Sequence, residues 1–264
     1  MPGMREQGSA GRVARRTFLR AVGGAAAVLV PAGCGDPSEP GGLPSGAELD
    51  DLPREPVTLD VARFDRVTAC RRTAEQIEGP FYLEAGLVRR DLTEGLPGEP
   101  LRVGLRVRDL DAGCGPIPDA VVELWQADAD GLYSGFSAAE QGRRERSVEH
   151  PGSALRGAQV TNGDGIAEFV TIYPGRYPGR TPHLHVKVHL DERTVLTSQL
   201  YFDEALNDEV LGSGVYAERA ADAPATSNAE DGLFASDLVL DVSRASAELV
   251  GVLTLDISAG EGGS

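Results

Sequence analysis

The chain has 264 residues, 41% of them hydrophobic, which is enough for one good-sized domain or two small ones with a real core. Its formal net charge of −16 argues against nucleic-acid binding and against adhesion by charge to an anionic membrane. No internal repeat, P-loop, dinucleotide fingerprint or Gly-x-Ser-x-Gly elbow occurs, so the common nucleotide and serine-hydrolase chemistries have no sequence support.

In chain order, residues 1–33 read as an export signal. Ala14-Arg15-Arg16-Thr17-Phe18-Leu19-Arg20 resembles a twin-arginine motif. Ala21 to Val30 is a weakly apolar run too short to span a bilayer. Pro31-Ala32-Gly33-Cys34 resembles a lipoprotein cleavage site, with Pro31 where a Leu is usual. It predicts a lipid on Cys34, hence membrane anchoring of an exported, extracytoplasmic protein. Removing residues 1–33, with five Arg against one Glu, leaves the rest more acidic still. Residues 34–56 are rich in Gly, Pro, Ser, Asp and Glu and read as a flexible linker. The folded domain is expected over 57–258, with 259–264 a disordered tail. With Cys34 acylated, Cys70 and Cys114 are left to form one disulfide in an oxidising compartment. Two buried thiols are the alternative.

Glu78-Gly79-Pro80-Phe81-Tyr82-Leu83 is a turn followed by aromatics. Leu101 to Arg108 alternates apolar and basic residues, the pattern of a half-buried strand. Gly113 to Pro116 is a turn, and Ala120 to Ala127 a strand carrying the single Trp, Trp125. Asp128 to Gly135 is a loop holding Tyr133, and Arg143 to Glu149 a charged, exposed loop. Strands are expected at 158–161 and 166–172, with Asn162-Gly163-Asp164-Gly165 between them as a hairpin turn. Further strands are expected at 183–190 and 196–202. A short helix follows Asp203 through Leu206 and Val210, then a loop over 221–231, then strands at 238–242 and 249–257. Many short strands with turn signals between them predict an all-β fold: a single β-sandwich domain with long loops and little helix.

The richest stretch runs from Tyr173 to His189. Pro174, Gly175, Pro178, Gly179 and Pro182 break any regular element over its first half. The result is a stiff loop that delivers Tyr177 and Arg180 to the start of a strand. Along that strand His183, His185, Lys187 and His189 alternate with Leu184, Val186 and Val188. Residues two apart share a face, so His183 and His185 stand roughly 6.6 Å apart and can converge on one metal ion. His189 lies about 13 Å beyond His185 on the same face, too far to join them. An isolated His-x-His is more often a pair of surface or hydrogen-bonded histidines. Here Tyr177 and Arg180 on the adjoining loop favour the metal.

Three segments in this order resemble the intradiol ring-cleavage dioxygenases, non-haem iron(III) enzymes that open catechols. They are Glu78 to Tyr82; Pro118 to Asp128 running on to Gly131-Leu132-Tyr133-Ser134; and Thr171 to Pro178 running on to Arg180-Thr181-Pro182-His183-Leu184-His185. The likeness covers roughly residues 65 to 205. It implies Fe(III) held by Tyr133 (equatorial), Tyr177 (axial), His183 and His185. It implies Arg180 as the active-site arginine, Gln199 as a glutamine supporting the substrate site, and Tyr82 as a residue lining the substrate pocket. Tyr173, in the same Tyr-Pro-Gly repeat, competes with Tyr177. Tyr177 is preferred because it follows Pro-Gly-Arg and leaves Arg180 three residues before His183. The substrates implied are a small aromatic diol and O2, with cleavage between the two hydroxyl-bearing carbons to a muconate-type diacid. The chemistry of the donors agrees: phenolates are hard anionic oxygens that favour a ferric ion, and a bound cation ionises phenols far below their ordinary pKa of about 10.

No segment reads as the helical N-terminal dimerisation domain of catechol-specific members, so substrate range and oligomeric state do not carry over. Two other readings stand beside this one. One is a non-catalytic β-sandwich binding lipoprotein that retains the fold. The other is a Zn-dependent hydrolase built on His183 and His185.

Overall fold

The computed structural model describes residues 55–65, 69–84, 86–142, 152–191, 193–218 and 224–260. The signal segment, Cys34, most of the linker, the 143–149 loop and the last four residues lie outside the described residues.

Among the described residues, nine strands form the two sheets of the expected all-β sandwich. The first sheet is built on β1 (Pro100–Asp109), which pairs in parallel with β9 (Glu248–Ile257) and antiparallel with β5 (Ile166–Ile172) and the two-residue β2 (Gly115–Pro116). β8 (Asp241–Ala245) closes it beyond β9. The second sheet is antiparallel throughout, in the order β4 (Arg156–Val160), β3 (Val121–Gln126), β6 (His183–Leu190), β7 (Arg193–Tyr201). Alternation decides what each face buries. Leu101, Val103, Leu105 and Val107 of β1 share one core with Val122 and Leu124 of β3 and with Leu184, Val186 and Val188 of β6.

The other face of the second sheet is also buried. All six residues of β3 and seven of the eight in β6 are shielded from solvent. An extended strap, residues 69–84, supplies part of the cover. Its start is fastened to β9, where Thr73 N donates to the Asp256 carbonyl (2.9 Å) and Arg71 N to the Asp256 carboxylate (2.9 Å). Cys70 and Cys114 are joined there by a disulfide, with Cα atoms 6.1 Å apart. The strap then follows β7: Gln76 N donates to the Thr197 carbonyl (2.8 Å), and Ser198 Oγ to the Ala74 carbonyl (2.7 Å).

Two expected elements differ. The Asn162–Gly165 turn is not a hairpin, because β4 pairs with β3 and β5 with β1. The Asn162 side-chain oxygen accepts from Asp164 N (3.0 Å) and Ile166 N (2.9 Å), which closes the turn locally while the chain crosses from one sheet to the other. The apolar run 238–242 is likewise shared between sheets. Val239 bridges Tyr201 at the end of β7, and pairing with β9 begins only at Asp241. The helix after Asp203 is α1 (Glu204–Leu211), capped by the Asp203 carboxylate accepting from Ala205 N (2.9 Å). One more turn, α2 (Gly214–Ala217), follows it.

Candidate metal centre

Strand register sets out the floor of the site. Arg156, Trp125, His185 and Gln199 lie opposite one another on β4, β3, β6 and β7, so one row of side chains crosses the buried outer face. His185 lies flat against Trp125, with ring centroids 4.8 Å apart and 11° between planes. His183, two residues away on the same face, is paired with Tyr201.

Two loops bring the tyrosines to this floor. In the first, the Asp128 carboxylate accepts from Asp130 N (2.7 Å) and Leu132 N (2.9 Å), winding a tight loop that presents Tyr133. Gly131 within it has φ +74°, and a side chain there would strike the Arg176 carbonyl. The second loop, 173–182, thus packs backbone to backbone on the first, tied by Gly175 N donating to the Asp128 carbonyl (2.8 Å). Tyr177 stands next to Tyr133 for this reason. Tyr173 goes elsewhere: its hydroxyl donates to Asn207 (2.6 Å), and its ring packs on Phe202.

Four side-chain atoms meet at one point. Tyr133 Oη is 2.9 Å from His185 Nε2, 3.4 Å from His183 Nε2 and 3.5 Å from Tyr177 Oη. Tyr177 Oη is 2.9 Å from His183 Nε2. Donors each about 2.0–2.2 Å from one ion and well separated in angle stand roughly 3–3.5 Å from each other, so these spacings fit a single metal ion. His183 Nδ1 donates to the Thr181 carbonyl (2.7 Å), which leaves the Nε2 lone pair for the cluster. Burial, then the Arg180 cation, presses the His183 pKa down to about 3; burial, then His183, holds His185 well below its ordinary value. Both imidazoles are therefore neutral and able to ligate. Burial, then Tyr177, pushes the Tyr133 phenol well above its ordinary pKa, and burial raises Tyr177 against the pull of Arg180. Two buried phenols beside two neutral imidazoles ionise when a cation joins them.

Arg180 overhangs this set. Its Nε donates to both oxygens of Asp231 (2.9 and 3.1 Å), and its Nη2 to Gln199 Oε1. Nη1 is directed at Tyr177 Oη (3.4 Å) and His183 Nε2 (3.3 Å).

Tyr82 and Gln199, the other residues expected at the substrate, both adjoin this set. Tyr82 packs on the cluster of Trp125 and Tyr133: its hydroxyl donates to Glu123 (3.0 Å), its ring meets Trp125 edge-on, and Lys187 Nζ lies 3.4 Å from its centroid. One position earlier, Phe81 stacks on Tyr133 at 4.9 Å. The tight turn before them has Gly79 at φ +81°, where a Cβ would lie 3.2 Å from His185 Cε1. Gln199 is fully buried and serves Arg180, its amide nitrogen donating to the Ile77 carbonyl (2.9 Å). Sequence reading passed over Asp231 and Trp125. The first lies in a segment read as plain loop; the second is placed opposite His185 only by the register of β3 on β6, which the sequence does not state.

Comparison with known proteins adds the relatives. A family model described as Dioxygenase matches residues 77–249. Chlorocatechol 1,2-dioxygenase of Rhodococcus opacus is 30% identical over 50% of this chain and 56% of its own length. Hydroxyquinol 1,2-dioxygenase of Nocardioides simplex is 31% identical over 53% of this chain and 52% of its own length. The chain spans about half the length of both. Among solved structures, an intradiol ring-cleavage dioxygenase from Tetranychus urticae is similar with a TM-score of 0.66 and 33% identity, covering 73% of this chain and 97% of that one.

Proposed function

The chain belongs to the intradiol ring-cleavage dioxygenase family, and from that premise we propose that it is a non-haem Fe(III) enzyme that opens a catechol-type diol with O2. The diol carbon–carbon bond between the two hydroxyl-bearing carbons breaks, and both oxygen atoms of O2 enter the muconate-type diacid. The observation that carries this reading is the meeting of Tyr133, Tyr177, His183 and His185 donors at 2.9–3.5 Å, with one Arg180 nitrogen beside them.

These four residues would hold ferric iron, which would supply a Lewis acid for the ionised diol. The protein's own groups do the rest. Tyr177, as phenolate, is placed to take a proton from the diol. Arg180 Nη1, beside Tyr177 and His183, stabilises the negative charge that builds during oxygen insertion. Phe81, stacked on Tyr133, keeps water from that side of the ligand set. The phenolic donors favour iron over the zinc hydrolase, and an intact donor set favours an enzyme over a binding module.

The relatives' names point to catechols, chlorocatechols and hydroxyquinols as the class to try first. The segment around Arg15 and Arg16 supports export, with Cys34 as the site of a lipid anchor. Metal analysis of the purified protein tests the reading. Iron with a red-brown tyrosinate-to-iron absorption band is expected. A colourless protein that keeps zinc after growth with added iron contradicts it.

A further inference from the structure

Arg180 is held by a residue far along the chain. The Asp231 side chain is 1% exposed and receives three sets of donors: Arg180 Nε at 2.9 and 3.1 Å, Thr181 N at 3.0 Å, and Leu233 N at 2.9 Å. A buried carboxylate is tolerated only when paired and hydrogen-bonded, and this one meets both conditions. With Nε held by Asp231 and Nη2 by Gln199, the guanidinium plane is fixed, and Nη1 is the nitrogen turned to Tyr177 and His183.

The same carboxylate reaches the ligand set by a second route. It accepts from the Thr181 amide, and the Thr181 carbonyl accepts from His183 Nδ1 (2.7 Å). Asn228, three residues before Asp231, braces the corner again by accepting from Thr181 Oγ1 (2.7 Å). Its amide nitrogen donates to the Phe202 carbonyl (2.9 Å), anchoring the segment to the end of β7.

We propose that Asp231 is a positioning residue of this site: it fixes the direction of the Arg180 guanidinium and, through the Thr181 backbone, the orientation and tautomer of His183. The hydrogen bonds described for its carboxylate are to Arg180, Thr181 and Leu233, and it acts through the first two. Loss of its charge frees Arg180 to rotate and turns a donor of the new amide toward donors.

The test uses Asp231→Asn in the full chain. In iron-free protein, the Arg180 Nε–Hε NMR signal, assigned by its loss in Arg180→Ala, exchanges slowly with solvent in the wild type and fast in the variant. In iron-loaded protein, kcat falls on the order of 10–100-fold, with KM little changed. The double variant with Arg180→Ala loses less than the product of the two single losses, because the route through Arg180 is shared. Losses that multiply in the double variant overturn the proposal, as does a wild-type Arg180 signal that exchanges like that of an exposed arginine. Should Asp231→Asn not fold, the wild-type exchange rate decides alone. The kinetic arm rests on the dioxygenase reading and the exchange arm does not. A protected Arg180 in a protein without turnover therefore supports the placement of Asp231 and contradicts the reaction.

Discussion

Trp125 lies flat on His185, rings 4.8 Å apart, because the two residues face each other across β3 and β6. The stack gives His185 a fixed plane. Trp125 is 1% exposed, so its removal leaves a cavity as well as a free imidazole. Trp125→Ala is expected to cost about 3–5 kcal/mol of stability. Trp125→Phe keeps a stacking ring and should bind iron with a shifted absorption band. Thermal melting and iron content of the two variants check this.

Gly79 is the second constraint on His185. Its φ of +81° and the 3.2 Å from a built Cβ to His185 Cε1 act together. Gly79→Ala is expected to lose about 1–2 kcal/mol from backbone strain alone and to lower iron occupancy by displacing the imidazole. A variant that melts at the wild-type temperature with full iron contradicts this.

The four donors are not equivalent. His185→Ala removes a neutral ligand and should lose most of the iron. Tyr177→Phe removes one of two phenolates, and should move the visible band while iron stays partly bound by the other three residues. Metal content beside the absorption spectrum separates the two outcomes.

Much of this site was legible in the sequence. Period-two alternation in β1 and β6 identifies the core face, and with it the opposite face on which His183 and His185 stand. The Pro- and Gly-punctuated loop before β6 announces a rigid carrier for Tyr177 and Arg180. Other features depend on information that is not local. The Asn162–Gly165 turn has the residues of a hairpin, but turn chemistry does not say which sheet the next strand joins. Phe81 and Tyr82 are adjacent aromatics, and one residue of loop register decides which meets Tyr133. Asp231 reaches Arg180 across 51 positions, and no spacing rule links the two.

The strap that carries Gly79 and Phe81 starts at the Cys70–Cys114 disulfide. In the chain-entropy model a closed loop of this length contributes about 4 kcal/mol. Cys70→Ser is expected to lower the melting temperature by this mechanism. The site itself should survive, since Gln76, Ser198 and Gln199 hold the strap along β7 independently. Equal melting temperatures for the variant and the oxidised wild type contradict the expectation.

Arg180 tests the chemistry apart from metal binding. Arg180→Ala should leave iron and colour in place and lower kcat on the order of 10²–10³-fold, because it removes a contact to developing charge and not a ligand. Loss of colour in this variant assigns Arg180 to holding the metal site together.

The most direct measurement is isotopic. Iron-loaded protein is incubated with catechol under ¹⁸O₂, and the product is identified by mass spectrometry. A muconate-type diacid carrying both labelled oxygen atoms, one at each new carboxyl group, is expected. A yellow semialdehyde from cleavage beside the diol, or no turnover of catechol, a 4-substituted catechol or a trihydroxybenzene by iron-replete protein, contradicts it.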